Sequence, residues 1–518
     1  MNPSPRSAPV VIVGAGPTGV TAATLLAQYG ISCLLLDRWE TVYPRPRAVH
    51  LDDEIRRIMG RLGIGDEFAA ITRAALGLRL VDKELRTLAQ FDRDPARSIH
   101  GFPQANMFDQ PELEAILRAN LKEHNCVRFQ GNAEVTHVSQ HEPAPVRVEF
   151  TDRISGEEHV VDASYVLGCD GANSVVRASI GAVMGNLRFA QRWLVVDVTT
   201  DAAIDLWDGV YQVCNPDRAA TYMRVGDNRY RWEFRLREGE TVDDFASPQT
   251  LYRLISAWVT DISPDRLSLV RVAEYTFGAG VASSWRQGNV FLLGDAAHLT
   301  PPFIGQGMSA GIRDAANLTW KLAGVLSEIL PPGVLDTYQR ERKPHARAMI
   351  GLALTMGWSM TAGGRTGNAV RRALIPRLHH IPGARQLITS SRTPALRSSA
   401  LVHKTFRGRR LAGRLCPNPE LSDGTRLDTV LGNGFALITT ESPTAAQLGQ
   451  LRHRGAVIVD APPGSELARW LRRGGVTTAV IRPDRTVMQA GRQLDDLCDS
   501  VPRFMLCSNG VSERKESQ

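Results

Sequence analysis

Three short apolar runs, at residues 10–13, 31–36 and 290–293, stand out in the hydrophobic pattern of this chain. Runs of this length with little polar alternation are typical of strands that are buried on both faces of a parallel sheet. A helical stretch separates the first two runs and is expected to end near Gly30. The pattern therefore predicts an α/β domain in which helices connect the strands of a parallel sheet.

A glycine-rich turn follows the first run. Gly14, Gly16 and Gly19 have the spacing of a dinucleotide-binding fingerprint, which allows a tight turn, close approach of a pyrophosphate and packing of a helix on the sheet. That helix would direct its N-terminal N–H groups at the phosphates. Asp37 ends the second run, where an acid can bind a ribose hydroxyl, and we assign Arg38 to the same end of the site.

A second signal follows the run at residues 290–293. Asp295 lies at the carboxyl end of that predicted strand, where open α/β sheets bind ligands, and Pro302 turns the chain after it. Gly305, Gly307 and Met308 then open a helix whose free N–H groups form a positive end. A reduced flavin is negative at its N1–C2 oxygen edge and would be stabilised there. The two signals together indicate FAD held at both ends.

A third motif lies between these two. Asp170 and Gly171 follow an apolar run at residues 165–167, and Arg177 comes shortly after them. With this motif in place, the chain resembles the class A flavoprotein monooxygenases, the FAD-dependent aromatic hydroxylases, which carry the three segments in this order. The resemblance implies that Asp170 lies near FAD and the nicotinamide route. It also implies non-covalent FAD, with NADH or NADPH as a transient co-substrate, and O2 and a small aromatic compound as substrates.

Three further positions match this family. Arg47 matches an arginine in a loop that lies against the cofactor, and Arg45 is the weaker alternative. Gln110, at the start of a predicted helix, matches a residue that reaches the flavin side of the cofactor. Val135 matches a position whose backbone meets the adenine.

The most similar branch is that of the 3-(3-hydroxyphenyl)propionate hydroxylases, with phenol and polyketide hydroxylases as neighbours; residues 47–54 and 231–234 carry this similarity. It implies hydroxylation of a phenol through a flavin C4a-hydroperoxide. A related flavin reductase or oxidase stays open, as does a polyketide-tailoring oxygenase acting by epoxidation or Baeyer–Villiger chemistry. A single dinucleotide fingerprint disfavours the Baeyer–Villiger enzymes that carry two. Intact motifs disfavour a non-catalytic FAD-binding protein.

The order of the motifs predicts an interleaved architecture. We expect a Rossmann-like FAD-binding domain at residues 1–75, 111–180 and 286–345. A mostly β substrate domain is expected at residues 76–110 and 185–285, with strands at 193–198, 221–225, 229–236 and 274–279. A helical extension and linker would occupy residues 346–415. Residues 420–510 resemble the thioredoxin-like domain of phenol-hydroxylase relatives, but lack a redox Cys pair.

The sequence leaves the catalytic residue that deprotonates the substrate unknown. Three tyrosines of the predicted substrate sheet are interpreted as packed strand aromatics: Tyr211, Tyr222 and Tyr230. Arg224 and Arg231 are candidates for contact with a substrate carboxylate, although a surface arginine is the default interpretation. His298 is interpreted as a packed, hydrogen-bonded residue rather than a catalyst.

Composition narrows the remaining classes. The 518 residues are 43% hydrophobic, and no apolar run approaches the length of a membrane span, so a cytoplasmic protein without membrane contact is expected. The seven cysteines are scattered, which predicts neither disulfides nor a metal site. The net charge is +7, but the basic cluster at residues 407–414 favours a solvated face over nucleic-acid binding. The oligomeric state is not determined, and a homodimer is one alternative.

Overall fold

The computed structural model describes residues 7–44, 47–94, 98–141, 144–361 and 393–505, with the side chains of all of these except residues 359–361. Within these ranges the chain forms two eight-stranded sheets, a four-stranded sheet and a three-stranded sheet. The two large sheets are formed by alternating stretches of the chain, so the cofactor motifs and the substrate strands come together only in the folded molecule.

The first eight-stranded sheet carries the predicted cofactor motifs. Its strands are β1 (Ser7–Val13), β2 (Cys33–Leu36), β8 (Val127–Gln130), β9 (Ala133–Ser139), β10 (Val146–Asp152), β11 (Glu158–Gly168), β17 (Arg286–Gln287) and β18 (Val290–Leu292). The order is β17-β18-β11-β1-β2-β8, and the strands from β18 to β8 run parallel. β10 also pairs with β11, and β9 pairs with β10. Consecutive residues of β1, Val10, Val11 and Ile12, are fully buried, so both faces of the sheet are covered at this strand.

The second eight-stranded sheet is almost entirely antiparallel. Its strands are β5 (Gly77–Val81), β6 (Thr87–Asp92), β12 (Met184–Thr199), β13 (Val210–Val213), β14 (Ala220–Arg224), β15 (Arg229–Arg235), β16 (Ser268–Ala282) and β19 (His298–Leu299). The order is β19-β16-β12-β15-β14-β13-β5-β6, and only β13 and β5 run parallel. One face packs an aromatic core around Tyr222, Trp232 and Trp258.

Two smaller sheets complete the strand inventory of the described ranges. A three-stranded sheet joins β3 (His50–Asp52), β7 (Ala105–Met107) and β4 (Arg73–Ala74) in that order. Near the C-terminus, β20 (Ala436–Thr439), β21 (Val457–Asp460), β22 (Thr478–Ile481) and β23 (Val487–Gly491) form a sheet in the order β21-β20-β22-β23. The β20 and β21 strands are parallel, whereas the other two pairs are antiparallel.

The helices connect these sheets. They are α1 (Pro17–Gln28), α2 (Asp53–Leu62), α3 (Gly65–Ala70), α4 (Gln110–Leu121), α5 (Val175–Ser179), α6 (Pro248–Ile255), α7 (Gly307–Leu326), α8 (Asp336–Thr361), α9 (Leu427–Leu431), α10 (Ala445–His453), α11 (Glu466–Gly474) and α12 (Leu494–Ser500). Short 3-10 turns occur at Val242–Phe245, Ser256–Trp258, Pro264–Arg266, Gly294–Ala296, Pro302–Ile304, Pro332–Leu335 and Gly408–Arg410.

The predicted elements are confirmed with small shifts at their ends. The run at residues 31–36 forms a strand only from Cys33, because the chain is still completing the turn after α1, where Gly30 takes a φ of +74°. The helix expected after Gly305 begins at Gly307 and extends to Leu326. The four strands expected in the substrate sheet are present within β12, β14, β15 and β16. Much of the expected helical extension at 346–415 lies outside the described residues, as does Arg45.

The C-terminal sheet packs against α7 and α8 through a buried polar network. Lys321 Nζ lies 2.9 Å from Glu341 Oε2, and Arg482 Nη1 lies 3.0 Å from Glu341 Oε1. All three side chains are fully buried, so each charge depends on its partners for compensation. The Trp320 ring also contacts Phe435 and Phe504 edge-on. These contacts anchor the C-terminal sheet to the helices that follow the second cofactor motif.

Candidate functional site

A single cavity of about 850 Å³ extends from the turn after β1 to the second large sheet. It is lined by every predicted cofactor residue except Gly19, that is by Gly14, Gly16, Asp37, Arg38, Arg47, Gln110, Val135, Asp170, Asp295, Pro302, Gly305, Gly307 and Met308. Residues as far apart along the sequence as Gly14 and Met308 thus meet at the carboxyl ends of the parallel strands. Direct contact of these residues with FAD stays a prediction.

The glycine turn has the space that a pyrophosphate requires. A Cβ atom at Gly16 would meet nothing within 4 Å, whereas one at Gly14 would lie 2.4 Å from the carbonyl oxygen of Cys169. Gly14 also has a φ of +102°, which side-chain-bearing residues rarely adopt. A Cβ at Gly19 would lie 1.9 Å from the Gly14 carbonyl oxygen. Gly19 therefore allows the helix to pack on the turn, while Gly16 leaves the cavity open.

Each carboxylate oxygen of Asp37 accepts one backbone hydrogen bond. Its Oδ2 accepts a hydrogen bond from the Ala15 N–H at 2.6 Å, and its Oδ1 accepts one from the Trp39 N–H at 2.8 Å. Each oxygen keeps a further lone pair for a ligand hydroxyl. The neighbouring Arg38 is exposed at the same end of the cavity. This arrangement fits the ribose of a dinucleotide.

Asp295 and the start of α7 form the second predicted cradle. Asp295 faces the cavity and, in the described part of the chain, makes no hydrogen bond or ion pair. The surrounding protein desolvates the carboxyl and raises its pKa. The α7 N-terminus has no side-chain cap, and a Cβ at Gly307 would meet nothing within 4 Å. An unpartnered acceptor and open N–H groups fit the ribityl chain and flavin edge.

Asp170 mainly organises its own loop. Its Oδ1 accepts a hydrogen bond from Ser174 Oγ at 2.6 Å, and its Oδ2 accepts one from the Val176 N–H at 3.1 Å. Burial raises the pKa of the Asp170 carboxyl. Arg177 extends the same structure by donating to the Ala296 carbonyl oxygen at 3.1 Å. The mid-chain motif therefore connects the start of α5 to the second cofactor signal.

Gln110 holds the arginine loop in place. Its Oε1 accepts hydrogen bonds from the N–H groups of Arg47 and Ala48, and its Nε2 donates to Glu114 Oε1 at 2.6 Å. The Arg47 guanidinium lies over the Tyr43 ring, 4.6 Å from its centroid. Gln110 thus lies at the cavity wall, but its side-chain amide is hydrogen-bonded to protein groups. We expect it to affect a cofactor by holding the loop that carries Arg47.

Sequence reasoning missed two neighbours of Gln110 on the same face of α4. Glu114 and Arg118 line the cavity, and Arg118 donates to the carbonyl oxygens of Glu40 and Ala15. The spacing of four residues that places them beside Gln110 was readable in the sequence.

Val135 lines the cavity from β9. Its neighbours Ala133 and Glu134 are the other described residues of that strand that reach the cavity.

The far end of the cavity is lined by aromatic and apolar side chains from the second sheet. Trp193, Phe277 and Phe303 form one wall, with Trp193 in contact with both phenylalanines. Leu78 and Met223 extend this wall. Such a surface suits an aromatic ring and excludes water from it. These residues come from β5, β12, β14, β16 and the loop before α7, and no local motif marks them.

We call this aromatic end of the cavity the chamber. It is also lined by His50, a polar residue that sequence reasoning missed. Its Nδ1 lies 3.5 Å from the Gly305 carbonyl oxygen, at the start of the second cofactor signal. Burial, assisted by the charge of Arg93, lowers the pKa of His50 to about 4. The imidazole is therefore neutral at physiological pH and has a nitrogen free to accept a proton.

The structure corrects the two arginine candidates for a substrate carboxylate. Arg231 is buried and forms an ion pair with Asp197, with Nε 2.7 Å from Oδ1. It is neither a surface residue nor free, because its Nη1 also donates to the Arg47 carbonyl oxygen. Arg224 turns to the carbonyl oxygens of Gly226 and Asp227. Neither arginine lines the cavity.

The interpretation of the tyrosines and of His298 is confirmed. Tyr211, Tyr222 and Tyr230 pack with one another and with nearby tryptophans in the aromatic core on the other side of the sheet. His298 is fully buried, and its Nε2 lies 2.7 Å from Asp314 Oδ2. Asp314 in turn pairs with Arg342. His298 is therefore part of a structural network beneath the cavity.

A protein-family model described as an FAD binding domain matches residues 7–353. The chain belongs to the FAD-dependent aromatic hydroxylases. This membership is supported over nearly the whole chain. It is 32% identical to a 3-(3-hydroxyphenyl)propionate/3-hydroxycinnamic acid hydroxylase from Burkholderia vietnamiensis, with 92% of each chain covered. It is 30% identical to a probable NADH-specific resorcinol 4-hydroxylase from Rhodococcus jostii, with 98% of this chain and 97% of the relative covered.

Solved structures support the mixed α/β fold of this hydroxylase. The flavin-dependent monooxygenase PieE superposes with a TM-score of 0.80 at 22% identity, covering 95% of this chain and 98% of that one. Aklavinone-11 hydroxylase gives a TM-score of 0.78 at 23% identity, covering 97% and 99%. Both were determined in complexes with FAD. At this level of identity the likeness shows the fold alone.

The described residues contain neither a membrane-spanning helix nor a metal-binding cluster. Among them, no helix is long and apolar enough to cross a membrane. The same part of the chain holds no cluster of three histidine, cysteine or carboxylate side chains that would bind a metal ion.

Proposed function

We propose that this hydroxylase adds one oxygen atom of O2 to the ring of a phenol, with NADH or NADPH as the reductant. The observation that carries the proposal is the shared cavity: two cofactor cradles at one end open directly into an aromatic chamber at the other. A ring packed against the wall that Trp193 and Phe303 form would lie beside the Gly305–Gly307 turn. The names of the relatives, which specify hydroxylation of phenolic compounds, support the same reaction class.

The residues on the cofactor side would hold FAD without a covalent link. The open turn at Gly16 would admit the pyrophosphate, Asp37 would bind the ribose, and Asp295 the ribityl chain. The uncapped start of α7 would stabilise negative charge at the flavin edge. FAD supplies hydride acceptance and O2 activation when bound. The protein supplies binding, orientation and a dry chamber.

His50 is our candidate for the group that accepts the phenol proton. A phenol attacks an electrophilic oxygen more readily as its anion, so removal of this proton promotes hydroxylation. His50 lines the chamber, lies beside the flavin-side turn and is neutral at physiological pH. Glu233 also lines the cavity, but its carboxylate lies 4.0 Å from the buried Arg231 guanidinium and helps to compensate that charge. We therefore assign the proton transfer to His50.

NADH is the nicotinamide that we favour. One relative is named as NADH-specific. The chain also has a single dinucleotide fingerprint, which supports transient binding of the reductant at the surface of the FAD site rather than in a domain of its own. Comparison of NADH and NADPH oxidation rates would decide between the two.

We also propose that the C-terminal region after residue 420 is a thioredoxin-like domain with a structural role. Its sheet has a parallel pair, β21 and β20, at one edge, and the antiparallel strands β22 and β23 continue it on the β20 side; this order supports the assignment. The buried network of Glu341 with Lys321 and Arg482 supports a role in bracing α7 and α8. The domain boundaries expected from the sequence, and a homodimeric assembly, stay proposals alongside it.

The test is a panel of phenols offered to the purified holoenzyme with NADH and oxygen. We expect the right phenol to accelerate NADH oxidation and to yield one hydroxylated product per NADH. The control omits the phenol and should give slow oxidation with hydrogen peroxide. If every phenol only produced peroxide, the enzyme would be an oxidase. If NADH oxidation without oxygen reduced the organic compound instead, it would be a reductase.

A further inference from the structure

Arg93 is a charged side chain at the aromatic end of the cavity that neither the motifs nor the proposed chemistry uses. It follows β6, and its N–H donates to the Leu76 carbonyl oxygen at 2.7 Å. The pairing of β5 with β6 places it on the face of the sheet that carries Leu78, another cavity residue. Arg93 is half-buried, so part of its surface remains available within the cavity.

The Arg93 guanidinium has no hydrogen bond or ion pair within the described ranges. The negative charges of Asp53 and Asp52 act to raise the pKa of Arg93, but both carboxylates have other partners. Asp52 pairs with Arg313, and Asp53 accepts a hydrogen bond from Ser98 Oγ. Burial lowers the pKa of Arg93, yet a guanidinium stays protonated. The chamber therefore contains a positive charge without a direct counter-ion.

The other cavity arginines belong to the cofactor side. Arg38 and Arg118 lie beside Asp37 and Ala15 at the glycine turn, and Arg47 lies in the loop held by Gln110, close enough to Asp295 for its charge to act on that carboxyl. Among the described residues, Arg93 is thus the one arginine or lysine at the aromatic end. A partly desolvated guanidinium surrounded by apolar walls favours an anionic partner, and its planar fork matches a carboxylate.

We propose that Arg93 binds the carboxylate of a hydroxyaryl carboxylic acid and thereby sets the substrate class of this enzyme. The inference rests on the proposed function and adds a specificity residue to it. His50 and Arg93 are close enough for the charge of one to influence the pKa of the other. The acid would be held at Arg93 while the phenol oxygen lies toward His50 and the Gly305 turn. A side chain of a few atoms between ring and carboxylate would span the two.

The experiment compares 3-(3-hydroxyphenyl)propionate with its primary amide, which has nearly the same shape but no charge. Dissociation constants are measured on the holoenzyme by the change in flavin absorbance, without NADH, and kcat/KM is measured by product formation. We expect the wild type to prefer the acid. Arg93→Gln should weaken binding of the acid by about 10- to 100-fold and change binding of the amide less than about threefold.

Two further variants test charge directly. Arg93→Lys should retain much of the preference for the acid, since it keeps the positive charge but not the fork. Arg93→Glu should favour 3-(2-aminoethyl)phenol over the acid. The matched control is Arg79→Gln, because Arg79 lies on β5 but points to the other face, where it donates to Gln90 and Tyr211. It should leave the preference unchanged.

Equal loss of acid and amide binding in Arg93→Gln would show a structural role and overturn the inference, as would unchanged binding of the acid. If Arg93→Gln failed to fold, Arg93→Lys and the acid–amide comparison in the wild type would still decide it. Hydroxylation of phenols without any preference for the acid would refute this assignment but leave the proposed function standing. Charge-selective binding without a hydroxylated product would support the role of Arg93 but refute the proposed function.

Discussion

The two ends of the cavity are built by different means. The cofactor end is formed by short sequence motifs whose backbone and glycines shape it: the turn at Gly14 and Gly16 and the start of α7 at Gly307. The substrate end is formed by side chains from at least seven separate segments, among them His50 on β3, Arg93 after β6 and Trp193 on β12. The cofactor end depends on local backbone geometry, whereas the substrate end depends on how distant strands pair.

This difference teaches where function can vary. A pyrophosphate and a flavin are the same in every member of the family, so one backbone geometry serves them all. The substrate wall can change one side chain at a time while β12, β13 and β16 keep their pairing. Arg231 connects the two ends, because it pairs with Asp197 in the substrate sheet and donates to the Arg47 carbonyl oxygen in the cofactor loop.

The largest effect should come from Gly16→Val, which targets the cofactor end alone. The folded chain has room for the side chain, but that room is the space expected for the pyrophosphate. We expect protein of wild-type melting behaviour, measured on apoprotein in both cases, that purifies almost without FAD. Gly449→Val, in an exposed part of α10 with equal open space, is the control. Full FAD loading of the Gly16 variant would place the pyrophosphate elsewhere.

Arg231→Met should destabilise the substrate sheet and its link to the cofactor loop. Loss of one partner leaves Asp197 buried and uncompensated, which costs about 3–5 kcal/mol of unfolding free energy. Denaturant titration of the apoprotein measures it. Arg224→Met, on the neighbouring strand, should cost much less, and the double change Arg231→Met with Asp197→Leu should recover part of the loss. A stable Arg231 variant would contradict a structural role for this pair.

His50→Gln should lower the rate of hydroxylation while FAD content stays normal. The loss of a proton acceptor predicts a fall in kcat of roughly 100-fold, with the dissociation constant of the phenol little changed. In the wild type, kcat/KM should fall as the pH drops toward about 4, where His50 becomes protonated. His137→Gln, at an exposed position of β9, is the control. Unchanged kcat in His50→Gln would move the proton transfer to another group.

Asp295→Ala should give the smallest effect, roughly a tenfold weaker FAD affinity, since one acceptor for the ribityl chain is lost. Asp295→Asn should weaken binding less, because its amide oxygen still accepts. Because burial raises the pKa of Asp295, acidification should protonate it, and FAD affinity should fall, at a higher pH than for an ordinary Asp. The fluorescence of released FAD measures the affinity of each variant and its dependence on pH. Identical affinities in wild type and Asp295→Ala would remove this residue from the cofactor site.

Some of these features were open to sequence reasoning because their signals are local. The apolar runs that form β1, β2 and β18, and the glycines between them and the helices, lie within a few residues of the atoms they position. Such signals predicted the α/β fold, FAD and the family. The predicted role of Gly19, to let the helix pack closely, is confirmed by its contact with Gly14, although Gly19 itself does not line the cavity.

The tertiary structure decided the substrate end. The chain has 61 lysines and arginines, and nothing in the neighbouring sequence distinguishes Arg93 from the others. The same is true of His50 among the histidines. What distinguishes them is strand pairing across long sequence distances, as in β5 against β13, which determines whether a charge finds a partner. The same pairing buried Arg231 against Asp197 and removed it as a substrate ligand. Burial and neutralisation depend on the whole fold, so the sequence alone could determine the cofactor but not the substrate contacts.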